Sequence, residues 1–140
     1  MIFLDASVLI AVTQVNHERH APSRELWERC ARNLASVSAY AIADVYNLLT
    51  AMPPHLRLGP RDALLVAETF LQRLTSVTLS PEECTATLRR AANQGLTGAA
   101  IYDAFHLACA RKIEARQIYT WNVRQFQMVA PDLTERIVTP

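Results

Sequence analysis

Five aspartates stand in this chain of 140 residues, and the chemistry worth testing lies with three of them: Asp5, Asp44 and Asp103. Asp5 closes the apolar run Met1-Ile2-Phe3-Leu4, at the end of an expected first strand. Asp44 lies early in an expected helix, between Ala43 and Val45. Asp103 follows Ile101-Tyr102, in the first turn of the helix that leads into an expected fourth strand. If the strands are parallel, all three carboxylates lie at one sheet edge. Like charges gathered there repel, and a divalent cation relieves the repulsion. Magnesium takes hard oxygen ligands and keeps several of its waters. An ion held by carboxylates can activate water and stabilise an in-line phosphoryl displacement. Each aspartate alone has a plainer explanation. Asp5 suits a helix cap beside Ser7, Asp44 suits a solvated helix face, and Asp103 suits the dipole of a first turn. The shared edge is what favours a site. Asp62, after Gly59-Pro60, and Asp132, after Pro131, fit a first helical turn and a loop turn, and neither is assigned to it.

The elements that must position these residues are read from apolar spacing and from breaks in it. Strands are expected over residues 2–5, 35–38, 76–79, 117–120 and 136–138, and helices over 8–12, 21–34, 40–52, 60–74, 81–93, 101–115 and 123–128. Ile42, Val45, Leu48, Leu49 and Met52 share one helical face. Pro53-Pro54 ends that helix, and Gly59-Pro60 opens the next. The sharpest local signal is Ser80-Pro81-Glu82-Glu83: a serine cap, proline at the first helical position and a glutamate that completes a capping box. Strands alternating with helices imply an α/β fold whose mostly parallel sheet is covered on both faces. Such sheets bind ligands at the carboxyl ends of their strands, where strand order reverses.

Composition narrows the function classes. Apolar residues make up 51% of the chain and charged residues 19%, enough for a core and against disorder. The length suits one domain spanning 1–140. No apolar run is long enough for a membrane span, and the N-terminus lacks the basic start of a signal peptide. Cys30, Cys84 and Cys109 form no CxxC pair, so neither a disulfide framework nor a zinc site is suggested, and a reducing cytoplasm is expected. Cys109 is expected in the core. Thirteen of the fourteen basic residues are arginine, which suits phosphate contacts but equally reflects an arginine-rich genome.

With these residues in view, the chain resembles a known family. The opening IFLDASVLIAV looks like the first motif of PIN-domain ribonucleases: a strand, an aspartate, a small residue and a hydroxyl residue. GLTGAAIYDAFHLACARKIEARQIYTWNVRQF is similar to their third and fourth motifs, and AIADVYNLL sits where the family places its second acid. The nearest resemblance is to the toxins of VapC-like toxin–antitoxin modules, over essentially the whole chain. The resemblance implies a three-layer fold with a five-stranded parallel sheet of order 3-2-1-4-5. It implies Asp5 and Asp103 as ligands of Mg2+, with Mn2+ a possible substitute, and Asp44 as the third catalytic acid. Ser7, Thr120 and Asn122 would support the acids. It also implies an RNA substrate, a small antitoxin partner and a homodimer, with the helical hairpin over residues 40–74 used for the last two. Two departures stand out. Asp44 replaces the glutamate common at its position, and Asn122 and Gln125 are uncharged where many members carry a fourth acid. Those departures give the alternative reading, a catalytically weakened PIN-like module that acts only through its antitoxin.

Several other residues have plainer roles beside a functional one. His106, one turn from Asp103, could shuttle a proton or touch substrate; a packed or solvent-facing histidine is preferred, because metal-assisted hydrolysis does not require one. Arg116 and Arg124 are candidate RNA contacts. Arg111 and Lys112 suit a helix C-terminus. Trp121 is read as a core or dimer residue over a base-stacking one. An aspartyl-nucleophile phosphatase would want an acid where Ser7 stands, a phosphoacceptor receiver would want paired acids and a late lysine, and no glycine pattern supports a nucleotide-binding loop.

Overall fold

The computed structural model describes residues 1–30 and 34–140. Five strands form one parallel sheet: β1 (Ile2–Leu4), β2 (Ala35–Ser38), β3 (Thr75–Val77), β4 (Gln117–Tyr119) and β5 (Ile137–Val138). Their order is β3-β2-β1-β4-β5, as the resemblance implied. The chain builds outward from β1 on one side, then returns to its other side with β4, so strand order reverses beside β1. Register is direct: Leu4 lies opposite Val37 on one flank and Tyr119 on the other.

Seven helices cover the sheet among the described residues: α1 (Ala6–Thr13), α2 (His20–Arg29), α3 (Ala39–Ala51), α4 (Pro60–Arg73), α5 (Pro81–Asn93), α6 (Ala100–Lys112) and α7 (Val123–Val129). A 3-10 turn, Pro131–Arg136, leads into β5. Side chains alternate across the strands. Leu4 and Val37 pack with α1 to α4 in one core, and Phe3 and Ile118 pack with α6 and α7 in the other. β1 and β2 at the centre are almost wholly buried, whereas the edge strand β3 exposes Thr75 and Ser76.

The differences from expectation are local. The first helix starts at Ala6, with Asp5 as its cap in place of Ser7. The second ends at Arg29, where the Cys30 N–H bonds back to the carbonyls of Leu26 and Trp27. The rest of its expected span covers Ala31, Arg32 and Asn33, which lie outside the described residues. The third strand begins one residue early, and α6 stops at Lys112, followed by Glu114 in the left-handed region (φ 51°). The capping box is formed as expected: Ser80 Oγ accepts from the Glu83 N–H, and the Glu83 carboxylate accepts from the Ser80 N–H at 2.6 Å. Cys109 is fully buried, and burial pushes its thiol up to about 11. Among the described residues no helix is long and apolar enough to cross a membrane.

Candidate active site

Asp5 is the most constrained of the three acids. Its backbone N–H continues the ladder past the end of β1, donating to the Tyr119 carbonyl at 3.0 Å. The next residue begins α1, so the carboxylate must fold back as a cap, and it accepts from the Ser7 N–H at 3.3 Å. Two hydroxyls reinforce it: Ser7 Oγ donates at 2.6 Å and Thr120 Oγ1 at 2.9 Å. All of these bonds fall on Oδ2; Oδ1 accepts none among the described residues. The cap and site readings of Asp5 are therefore compatible. One oxygen closes the helix, and the other is left over in a side chain only 4% exposed.

The two hydroxyls are themselves aimed by the backbone that follows β4. Ser7 Oγ accepts from the Trp121 N–H and Thr120 Oγ1 from the Asn122 N–H, each at 3.0 Å. Each hydroxyl spends its single hydrogen on Asp5 and receives one from the chain, a closed arrangement with fixed direction. Ser7 and Thr120 thus both contact the Asp5 carboxylate. Asn122 joins through its backbone, while its side chain is exposed at the rim.

Asp44 and Asp103 come to the same edge because α3 follows the carboxyl end of β2, while α6 runs back toward the start of β4 and so begins at the far edge. Together with Asp5 they line one open cleft of about 320 Å³, with Ser7, Asn122 and Gln125 beside them. Asp103 accepts from Gln125 Nε2 at 2.7 Å. Burial pushes its carboxyl above the usual range and the Gln125 bond works against this. The charges of Asp5 and Asp44 raise it further. Asp44 Oδ2 meets Nε2 of His106 at 3.0 Å. The packed histidine of the sequence reading is packed indeed, but its ring edge belongs to the site.

The donor set suits a hard cation: carboxylate oxygens, a mutual repulsion that a positive charge would relieve, and one Asp5 oxygen without a protein donor. Among the described residues no three His, Cys, Asp or Glu side chains converge tightly enough to hold an ion. Two of the carboxylates are turned toward His106 and Gln125. A magnesium ion needs only one or two carboxylates besides its waters, and Asp5 and Asp103 are the residues that could supply them.

The two candidate arginines separate. Arg124 lies on α7 in a trough that shares Asn122 and Gln125 with the cleft. Arg116 precedes β4, and its N–H donates to the Met1 carbonyl at 3.0 Å. It therefore sits at the amino ends of the strands, beside Arg111 and Arg136. One residue precedes the strand and the other follows it, so the strand's length holds them at opposite edges. Of the two candidate RNA contacts, Arg124 therefore lies beside the cleft and Arg116 at the opposite sheet edge. Trp121 is held in place, its Nε1 donating to Ser23 Oγ at 2.9 Å with the Arg19 guanidinium 5.0 Å from its ring centre. Arg111 pairs with Asp132 and Lys112 with Glu83.

Sequence reasoning gave too little weight to His106, Gln125 and Ser38. The i,i+3 spacing of Asp103 and His106 was the available signal, since residues one turn apart share a face. Ser38 is joined to the site only through tertiary packing, by its bond to His106.

Comparison with known proteins agrees with this fold. The family profile described as PIN domain matches residues 2–130. The chain is 34% identical over 102 residues to ribonuclease VapC27 of Mycobacterium tuberculosis, spanning 72% of this chain and 70% of that protein. Among solved structures it is similar to VapC20 of Mycobacterium tuberculosis, described as a sarcin–ricin loop cleaving toxin. There the TM-score is 0.69 and the identity 21%, over 87% of this chain and 90% of that one. It is also similar to VapBC-1 of nontypeable Haemophilus influenzae, with TM-score 0.67 and identity 17%, over 99% and 98% of the two chains.

Proposed function

This chain belongs to the PIN-domain family, and is VapC-like within it; on that premise we propose that it is a metal-dependent endoribonuclease toxin held in check by a cognate antitoxin. The observation that carries the reading is the convergence of Asp5, Asp44 and Asp103 on one cleft at the sheet's carboxyl edge. Asp5 and Asp103 would hold the ion, Mg2+ or Mn2+. When bound, the ion supplies charge to the scissile phosphate and lowers the pKa of a coordinated water.

The chain's own residues do the positioning. Ser7 and Thr120 hold Asp5 through Oδ2 and leave Oδ1 for the ion. Gln125 fixes one oxygen of Asp103. Asp44, held at Oδ2, keeps Oδ1 to orient the attacking water. Arg124, on the trough beside the cleft, is placed to meet an RNA phosphate. In-line attack by water leaves a 5′-phosphate on the product; a 2′,3′-cyclic phosphate would show that the ribose hydroxyl attacks instead.

For the partners, the support is the helical hairpin α3–α4. It exposes Tyr46, Leu48, Leu64, Leu65 and Leu71, a concentration of apolar surface that suits protein contacts. We assign it to a homodimer and to the antitoxin, and light scattering of the purified chain tests the first.

The experiment that tests the function incubates purified, antitoxin-free protein with total bacterial RNA in Mg2+, in Mn2+ and in EDTA. Asp5→Asn and Asp103→Asn, shown to be folded, run alongside. Discrete cuts that need metal and vanish in both variants are expected. A folded wild type that cuts nothing in either metal, yet binds an antitoxin, would favour the binding-module reading.

A further inference from the structure

Resting on the nuclease reading, we infer that His106 is a positioning residue that fixes the carboxylate of Asp44. His106 lies on α6, one turn after Asp103, and is 3% exposed. Both ring nitrogens are engaged: Nδ1 is 2.9 Å from Ser38 Oγ, and Nε2 is 3.0 Å from Asp44 Oδ2. The ring thus ties three elements together, the end of β2, the first half of α3 and the first half of α6.

Hydrogen-bond capacity fixes where the protons are. Ser38 caps α3, and its Oγ accepts from the N–H groups of Tyr40 at 3.1 Å and Ala41 at 3.2 Å. A hydroxyl has two acceptor positions and one hydrogen. With both acceptor positions used, Ser38 can only donate, so Nδ1 is the acceptor. Nε2 of the neutral ring then carries the hydrogen and donates to Asp44. The other end of the ring requires the same tautomer, since an ionised carboxylate only accepts. A serine that caps one helix therefore decides which way a histidine on another helix points its hydrogen.

The consequence falls on Asp44. Its side chain is 45% exposed, and among the described residues His106 is its only side-chain partner. Without the imidazole the carboxylate is free to turn into solvent. With it, Oδ2 is fixed and Oδ1 stays available to the cleft. The rival explanation is that His106 only fills space between helices. That explanation predicts a loss of stability from any replacement, with no special dependence on Asp44.

The test uses the full chain with His106→Leu, His106→Gln, Asp44→Asn and the double variant His106→Leu/Asp44→Asn. Melting temperature, kcat and KM for RNA are measured at saturating Mg2+. His106→Leu is expected to lower kcat by about 10–100-fold, the range for partners that orient active-site carboxylates, with KM unchanged. His106→Gln, whose amide can donate to Asp44, should recover most of the loss. In the Asp44→Asn background His106→Leu should add little, because the two act as one unit. Equal losses in both backgrounds, or a glutamine no better than leucine, overturn the inference. If the leucine variant does not fold, nitrogen NMR of the wild-type imidazole decides. A hydrogen on Nε2 supports the assignment, and one on Nδ1 overturns it. That measurement needs no RNA, so it still separates the fate of His106 from that of the nuclease reading should the wild type prove inactive.

Discussion

Thr120 and Asp5, 115 positions apart in sequence, are joined by a 2.9 Å hydrogen bond from the threonine hydroxyl to the Oδ2 atom of the carboxylate. The bond is possible because β1 and β4 are parallel neighbours in register, with Leu4 opposite Tyr119. The residue after each strand then emerges at the same height. Thr120→Val keeps the shape but removes a donor to Asp5 and the acceptor of the Asn122 N–H. In a fully buried position this should cost about 1–3 kcal/mol in urea unfolding, together with a fall in RNA cleavage. Thr120→Ser should lose far less. A valine variant as stable and active as wild type would show that the hydroxyl does not hold the acid.

Asp103 should oppose folding at neutral pH in the absence of metal. Burial raises its carboxyl above the ordinary value, the Gln125 bond notwithstanding, and the charges of Asp5 and Asp44 add to the rise. Between the unfolded and folded values the folded chain holds more protons, so stability falls as pH rises through that window. Asp103→Asn should therefore melt above wild type in EDTA at pH 7. The gap should narrow as the pH drops below the unfolded value. Mg2+ should raise the melting temperature of wild type but not of the variant, since only a bound ligand stabilises by mass action. A variant no more stable than wild type in EDTA would contradict the electrostatic account.

Gln125 stands where a fourth carboxylate would complete a more acidic site. Gln125→Glu replaces the 2.7 Å donor to Asp103 with a like charge, and two carboxyls at such a distance do not both ionise. The variant is expected to melt lower than wild type in EDTA and to gain more from Mg2+. Thermal unfolding across a Mg2+ titration reads both effects. Identical metal dependence in the two proteins would mean that Gln125 lies outside the ion's influence.

Arg124 and Arg116 make a matched comparison on opposite sheet edges. Arg124→Ala should weaken binding of a catalytically inactive Asp5→Asn protein to RNA and reduce the slope of log K against log salt by about one. Arg116→Ala should leave both near the parent values. Equal effects would place the RNA across a wider surface than the cleft and its trough.

Much of the fold is written locally. Pro81 and the Ser80–Glu83 capping box start α5, Pro53-Pro54 follows close on the end of α3, and the apolar run Ile2–Leu4 becomes the central strand. The alternation of strands and helices, together with the family motifs around Asp5, Asp44 and Asp103, was enough to give the strand order and to place three acids at one edge. What sequence alone could not decide is which atoms meet there. Ser38 is an ordinary helix cap until α6 packs across β2 and brings His106 to its hydroxyl. Gln125 matches a fourth-acid position by resemblance, but its bond to Asp103 forms only when α7 folds back toward α6. Arg116 and Arg124 read alike as candidate RNA contacts until β4 separates them to opposite sheet edges. Spacing within one element fixes a face, because helix and strand periods are intrinsic to the backbone. The pairing of faces from different elements depends on packing across the sheet, where residues 68 positions apart, such as Ser38 and His106, come within hydrogen-bonding distance.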